Sequence, residues 1–273
     1  ARTHGLPMTV HTGSVSDQVT LLARAGVLGP DMLPSHSRDF TAHEYDLIAA
    51  AGVPVNVTPL ADNRHGLSWH IGEAVRRDLV MSVGTDGPVF GGAGMLGQLR
   101  LLIESQRADE ARIERMQGRV ERRRPGFPGV TPERVLRAAT IDGARALGLD
   151  HRIGSITPGK RADLTLIRVN PFGRGRTSPA MHVLTDDRVR VDTVIVDGVV
   201  RVQDGAPTAA DTDALVRQLT AATDRIFAEP LDGVRRVWWA PPAEAARWDG
   251  RGEIAELGED LGTARRERTE APS

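Results

Sequence analysis

The stretch LVMSVGTDGPV, residues 79–89, decides the fold. Five mostly apolar residues run into Gly84-Thr85-Asp86-Gly87-Pro88. In isolation, Asp before Gly after an apolar run is an ordinary turn former. The other reading makes Asp86 a carboxylate held at the end of a sheet strand for chemistry. The residues upstream decide between the two.

Leu6 to Val10 reads as a strand ending at His11, and Met32 to Ser35 as a second strand leading into His36, weakened by Pro34. Val53 to Thr58 reads as a third strand closed by Pro59, and residues 79–83 as a fourth. Between them lie helical patterns at 15–26, with Gly26 as C-cap, at 41–51, and at 71–77. Thr41 and Glu44 stand in capping-box register, and Gly52 supplies a stop. Strand and helix alternating at this rhythm is what βαβ units in a parallel sheet require. Parallel α/β sheets gather functional groups at the carboxyl ends of their strands. His11, His36 and Asp86 all occupy such ends.

Beyond residue 95 the pattern changes. A helix is expected over 95–107, then an Arg-dense solvated connection over 109–127. Thr131-Pro132 opens a helix with an N-cap and proline at its first position, turning Val135, Leu136, Ala139 and Ile141 inward. Short strands follow at 162–168, 191–196 and 199–202, the last two joined by Asp197-Gly198, a hairpin signal. Residues 211–228 form an amphipathic helix with Leu215, Val216, Leu219, Ala222 and Ile226 on one face. The tail from about 249 has the composition of a disordered segment.

The bulk numbers restrict the class. A formal net charge of -1 gives no footprint for nucleic acid or an anionic membrane surface. No apolar run reaches the ~20 residues of a membrane span, and the expected location is cytoplasmic. The absence of cysteine excludes disulfides and thiolate ligands, so a metal here must use His, Asp or Glu.

The segment TPERVLRAATIDGARALGLDHRIGSITPGKRADLTLI, residues 131–167, resembles the amidohydrolase superfamily, and within it the metal-dependent aminohydrolase and chlorohydrolase branch that includes cytosine deaminase-like enzymes. The resemblance extends over roughly residues 1–205 through the strand-terminal histidines and the GTDG at 84–87. It implies the C-terminal half of a (β/α)8 barrel, with strands five to eight in residues 1–150, the post-barrel helix at 131–147, and part of a small β-sandwich in 151–205. Residues 206–248 would be a C-terminal helix and packing segment, and 249–273 a tail. His11 matches a metal ligand on the fifth barrel strand, and His36 the sixth-strand histidine that binds metal or positions substrate and water. Asp86 matches the eighth-strand aspartate that holds metal and acts as base. The implied cofactor is a divalent ion, Zn²⁺ first, with Fe²⁺ or Mn²⁺ as alternatives. The implied reaction is hydrolysis of a non-peptide carbon–nitrogen bond, or dechlorination, in a small N-heterocyclic or amidine-like substrate.

Two departures qualify the resemblance. The family's first strand carries His-x-His, and no such pair is present in this sequence; strands one to four must come from a longer chain or in trans. Ser14 stands where many relatives have a general-acid Glu, and a serine cannot replace a tuned carboxylic acid. The competing reading is therefore a non-catalytic remnant or a subunit of a split amidohydrolase, whose open sheet edge drives association with another chain or into a homo-oligomer. After the third strand, Asp62, Arg64, His65 and His70 read as a polar loop where relatives contact substrate, with His65 and Asp62 the candidate substrate-binding residues. His43 is expected on a surface helix, His151 and His182 as structural, and Trp238-Trp239 as packing for the tail.

Overall fold

The computed structural model describes residues 1–13, 15–65, 71–87, 94–116, 129–169, 178–186 and 188–228. Residues Ala1–Ala210 form one compact unit and Asp211–Ser273 a second. Ser14, His70, most of the Arg-dense connection, Trp238, Trp239 and the tail lie outside the described residues.

The first unit opens with the expected alternation: β1 (Met8–His11), α1 (Gln18–Arg24), β2 (Met32–Ser35), α2 (Ala42–Ala50), β3 (Val55–Val57), α3 (Pro59–Arg64), α4 (Ile71–Arg76), β4 (Met81–Val83) and α5 (Met95–Met116). β1 pairs parallel with β2, Met8 opposite Met32, and β3 parallel with β4, Val55 opposite Met81. The two pairs are not joined by a regular ladder, and Pro34 supplies a reason. Asp31 and Ser35 turn their carbonyls to β1, where they accept the Met8 and Thr12 N–H groups. Alternation along the strand then aims Pro34, which has no N–H, at β3. The link comes further on, where Ser37 N–H donates to Asn56 O at 2.7 Å and Asn56 N–H donates to Ser37 Oγ at 3.1 Å. Among the described residues the parallel strands do not close into a barrel.

The core is aliphatic, as the scarcity of aromatics requires. Ile48, Val53, Val55, Val57, Ile71, Met81, Leu99, Leu102, Ile103 and Val135 are buried together around Tyr45. The capping box of α2 is present, and it does more than its register predicts. Glu44 receives the Thr41 N–H at 3.0 Å and also the N–H groups of Val19 at 3.0 Å and Thr20 at 3.4 Å. Asp17, at the N-cap of α1, makes no side-chain cap of its own. One buried carboxylate therefore serves two helix starts.

Three expectations need correcting. The helix from Met95 runs to Met116, past the expected end at 107, because the charged residues after 107 are good helix formers and lack Gly or Pro until Gly118. The single helix over 131–147 is two, α6 (Pro132–Ala138) and α7 (Ile141–Ala146), divided at Thr140, whose φ and ψ of -130° and -105° are not helical. The polar loop after the third strand is the helix α3, opened by Thr58 with Pro59 at its first position.

The most specific motif turns out to be a packing device. Gly154 has φ +88°, and a Cβ there would lie 2.7 Å from the Ala144 Cβ and 3.0 Å from the Ile141 Cα. The GA and GS of the motif are thus halves of one close approach between α7 and the loop after it. Downstream, the Asp163 carboxylate of the ADL triplet accepts the Asp197 N–H at 2.7 Å, and Gly198 N–H donates to Ala162 O. These bonds fasten the start of β5 (Leu164–Arg168) to the turn between β6 (Arg190–Val196) and β7 (Val199–Gln203). Asp197 and Gly198 both have positive φ, as a type I′ hairpin requires. A second Asp-Gly turn at 204–205 leads into β8 (Ala206–Pro207), a strand the pattern reading misses. The result is one antiparallel sheet in the order β5-β6-β7-β8; the described residues contain no second layer to make it a sandwich.

The helix α8 (Pro179–Thr185) carries His182 and packs against α5 and α6, with Arg100 donating to Asp186 O at 2.7 Å. His43 and His151 are exposed. In the second unit, α9 (Thr212–Ala228) starts at Asp211, which accepts the Ala214 N–H. Its Leu215, Val216 and Leu219, expected on one face, are all more than half exposed. Among the described residues no helix is long and apolar enough to cross a membrane.

Candidate functional site

His11, His36 and Asp86 come together at the carboxyl ends of the parallel strands. His11 closes β1, and its ring lies 4.9 Å from the His36 ring, centroid to centroid, tilted by 35°. His36 follows β2 directly and is 6% exposed. Asp86 follows β4, and its Oδ2 lies 3.8 Å from His36 Nε2. Its Oδ1 accepts the Gly87 N–H at 2.7 Å, which fixes the carboxylate against its own turn.

The backbone at two of these positions is held off the common conformations. His36 has φ +58° and Asp86 φ +57°. Aspartate visits this region often, and the other non-glycine residues with positive φ among those described are all aspartates. His36 is the one non-aspartate among them; histidine shares the tolerance in part, and the conformation costs it up to roughly 1–2 kcal/mol. Such strain persists only where the surroundings over-determine it, and it concentrates at functional sites.

Those surroundings are explicit. Thr12, fully buried, donates its hydroxyl toward Ser35 O at 2.8 Å and His36 O at 3.0 Å. His36 Nδ1 lies 2.6 Å from Thr58 Oγ1 and 3.1 Å from Asp62 Oδ1. Asp62, with no exposed side-chain surface, also receives Arg38 Nη1 at 2.6 Å and the Thr58 N–H at 3.0 Å. Leu60 N–H, the next donor at the head of α3, goes to the buried Gln98 of α5 at 2.9 Å. The end of β2 and the start of α3 are therefore tied through one imidazole.

The structure separates the two residues expected to read substrate. His65 ends α3 and is exposed, whereas Asp62 is sealed inside and spends both oxygens on protein donors. The sequence reading missed Arg38 and Thr58. Thr58 could have been found from Thr-Pro followed by an acidic residue within one helical turn, a helix-start signature in which the acid reaches back to the cap N–H. Nothing in the sequence pairs Arg38 with Asp62, 24 positions away.

The donor set suits a borderline divalent ion in kind: two imidazoles and a carboxylate at strand ends. Two ligands of one tetrahedral zinc stand roughly 3.3 Å apart, so the 3.8 Å between His36 Nε2 and Asp86 Oδ2 is near that spacing. Among the described residues, however, no three or more acidic or histidine side chains close into a complete ligand group. The chemistry of the residues fits a metal, and the set is partial.

Imidazole and carboxylate groups at the carboxyl ends of strands in a parallel α/β frame occupy the place where this architecture gathers functional groups. The chain belongs to the amidohydrolase family, whose model matches residues 1–201. It is 30% identical over 215 residues to a 5-methylthioadenosine/S-adenosylhomocysteine deaminase of Desulforudis audaxviator, covering 77% of this chain and 46% of that protein. It is 30% identical over 214 residues to an 8-oxoguanine deaminase of Pseudomonas aeruginosa, covering 77% and 44%. Among solved structures it resembles a zinc-bound adenosine deaminase from Xanthomonas campestris, with TM-score 0.71, 23% identity, and coverage of 84% of this chain and 53% of that one. It also resembles an atrazine chlorohydrolase from Arthrobacter aurescens complexed with zinc, with TM-score 0.67, 23% identity, and coverage of 81% and 49%. The chain spans about half the length of the proteins it matches.

Proposed function

We propose that this chain supplies the C-terminal half of a metal-dependent (β/α)8 hydrolase site acting on a carbon–nitrogen bond of an N-heterocyclic substrate, a deamination. The convergence of His11, His36 and Asp86 at the carboxyl ends of β1, β2 and β4 carries the reading, and the deaminases and triazine-type hydrolases among the relatives support the substrate class. His11 and Asp86 would hold the ion, with His36 Nε2 facing Asp86 as a further ligand or as the group that orients the attacked carbon. A bound divalent ion lowers the pKa of a coordinated water from about 15.7 to about 7. Asp86, 27% exposed and anchored by Gly87, would take a proton and return it to a leaving amine. His65, exposed at the end of α3, is the remaining candidate for contact with substrate.

A second reading has its own support. The chain covers about half of its relatives, and the family resemblance sets Ser14 where an acidic residue would be expected. A non-catalytic remnant, or a subunit that completes its sheet with another chain, fits both facts. Calorimetric titration with Zn²⁺ tests the half-site: the chain alone binds more weakly than micromolar, and sub-micromolar binding abolished by His11→Ala would refute it. The protein expressed from its whole reading frame separates the two functions. Ammonia release from aminated purines or triazines, reduced on the order of 10²–10⁴-fold by Asp86→Asn, supports the hydrolase; no release from any of them favours the remnant.

A further inference from the structure

We propose that Asp62, held by Arg38, is a positioning residue that keeps a proton on Nδ1 of His36 and so presents Nε2 toward Asp86 as a free lone pair. Three observations carry this. First, both Asp62 oxygens already accept hydrogen bonds: Oδ1 from Arg38 Nη1 at 2.6 Å and Oδ2 from the Thr58 N–H at 3.0 Å. A carboxylate paired with the Arg38 guanidinium and a backbone N–H is an ionised acceptor, so Asp62 meets His36 as an acceptor only. Second, Oδ1 lies 3.1 Å from His36 Nδ1. If that nitrogen were bare, two lone pairs would face each other in a site with no water-exposed surface on Asp62. A proton on Nδ1 removes the conflict and is shared with Thr58 Oγ1 at 2.6 Å. Third, one neutral imidazole carries one ring proton, so fixing it on Nδ1 leaves Nε2 unprotonated on the Asp86 side.

Arg38 is built into this arrangement. Its guanidinium is largely buried, and its stem fills the space beside Gly13, where a Cβ would lie 2.4 Å from the Arg38 Cγ. Gly13 follows the His11-Thr12 turn and has φ +78°, so the end of β1 leaves room for the arginine that holds the end of β2. The residue expected to touch substrate thus acts one step behind the site. Carboxylate–histidine pairing of this kind sets ring orientation and ligand basicity where a histidine serves a metal.

The inference rests on His36 being a site residue, yet its test needs neither metal nor turnover. In protein labelled with ¹⁵N-histidine, long-range proton–nitrogen correlation reads which ring nitrogen bears the proton while the ring is neutral, with the His36→Gln spectrum making the assignment. The wild-type chain shows the Nδ1–H form. A wild-type ring protonated on Nε2 overturns the proposal, whatever the variants do. In the double variant R38M/D62N the amide NH₂ is free to face the ring and donate to Nδ1, and the population moves to the Nε2–H form. An unchanged tautomer in a folded double variant also overturns it, because a purely structural Asp62 would leave the proton where it was. Zinc affinity measured on the same samples addresses the metal reading separately: about a 10–100-fold loss is expected, and no loss alongside a switched tautomer sinks that reading alone.

Discussion

Replacing Gly154 by alanine measures how much of the family signature is packing. Two terms oppose the substitution. The backbone sits at φ +88°, where an L-residue is strained by roughly 1–2 kcal/mol. The added Cβ would also lie 2.7 Å from the Ala144 Cβ, 3.0 Å from the Ile141 Cα and 3.1 Å from the Thr140 O. Two of those three neighbours are backbone and cannot swing away, so overpacking adds about 1–3 kcal/mol. The sum, roughly 2–5 kcal/mol, is a large share of the 5–15 kcal/mol that holds a typical domain. Gly159, five residues on, provides the control: its φ is +90°, and a Cβ there meets nothing within 4 Å. Gly159→Ala therefore reports the backbone term alone. Urea unfolding followed by far-ultraviolet circular dichroism gives both stabilities, compared through midpoints at constant slope. Gly154→Ala should lose about 1–3 kcal/mol more than Gly159→Ala, and Ala144→Gly in the Gly154→Ala background should recover part of it. Equal losses at the two glycines would refute the close approach.

Two further outcomes can be checked on the same preparation. Glu44→Ala removes the acceptor for the starts of both α1 and α2 and should cost about 2–4 kcal/mol in urea unfolding; a loss no larger than that of Thr41→Ala would mean the bonds to Val19 and Thr20 contribute nothing. Tyr45 is the only tyrosine, and burial raises its pKa well above the ordinary value while the Arg77 guanidinium 5.8 Å from its ring opposes the shift. The unfolded chain therefore loses its phenol proton first, so stability is full below about pH 10 and falls as pH rises beyond it. Phenolate absorbance should appear together with loss of helical circular dichroism, and a phenolate forming in still-folded protein would contradict the burial.

What the sequence discloses depends on whether the deciding contact is local. Strand ends at His11 and His36, the Thr41-Glu44 box and the Asp197-Gly198 hairpin are all written within a few residues, and each is found where expected. The division of the 131–147 helix escapes because Thr140 is unremarkable as a residue type, and the loop at Gly154 that packs against Thr140 O, Ile141 and Ala144 comes later in the chain. The continuation of α5 to Met116 escapes for the opposite reason, since a charged run reads equally well as a solvated helix or a loop. Asp62 escapes because polarity does not imply exposure. Its neighbours Asn63, Arg64 and His65 are indeed exposed, but Asp62 points inward, one helical turn from Thr58.

This contrast bears on how the family resemblance should be weighed. In the stretch that makes the family resemblance most specific, residues 131–167, the recognisable glycines, alanines and Asp163 hold a helix, a loop and a hairpin together. A chain can keep that signature for packing alone after its chemistry is lost. The better evidence for retained chemistry is energetic. His36 accepts an unfavourable backbone conformation, and the carboxylate of a buried Arg–Asp pair faces its ring. Burying such a pair rarely gains stability over apolar residues of the same volume. A remnant freed from catalysis would be expected to relax both features, so His36 and the Arg38–Asp62 pair are where the proposed hydrolase and the remnant reading part company.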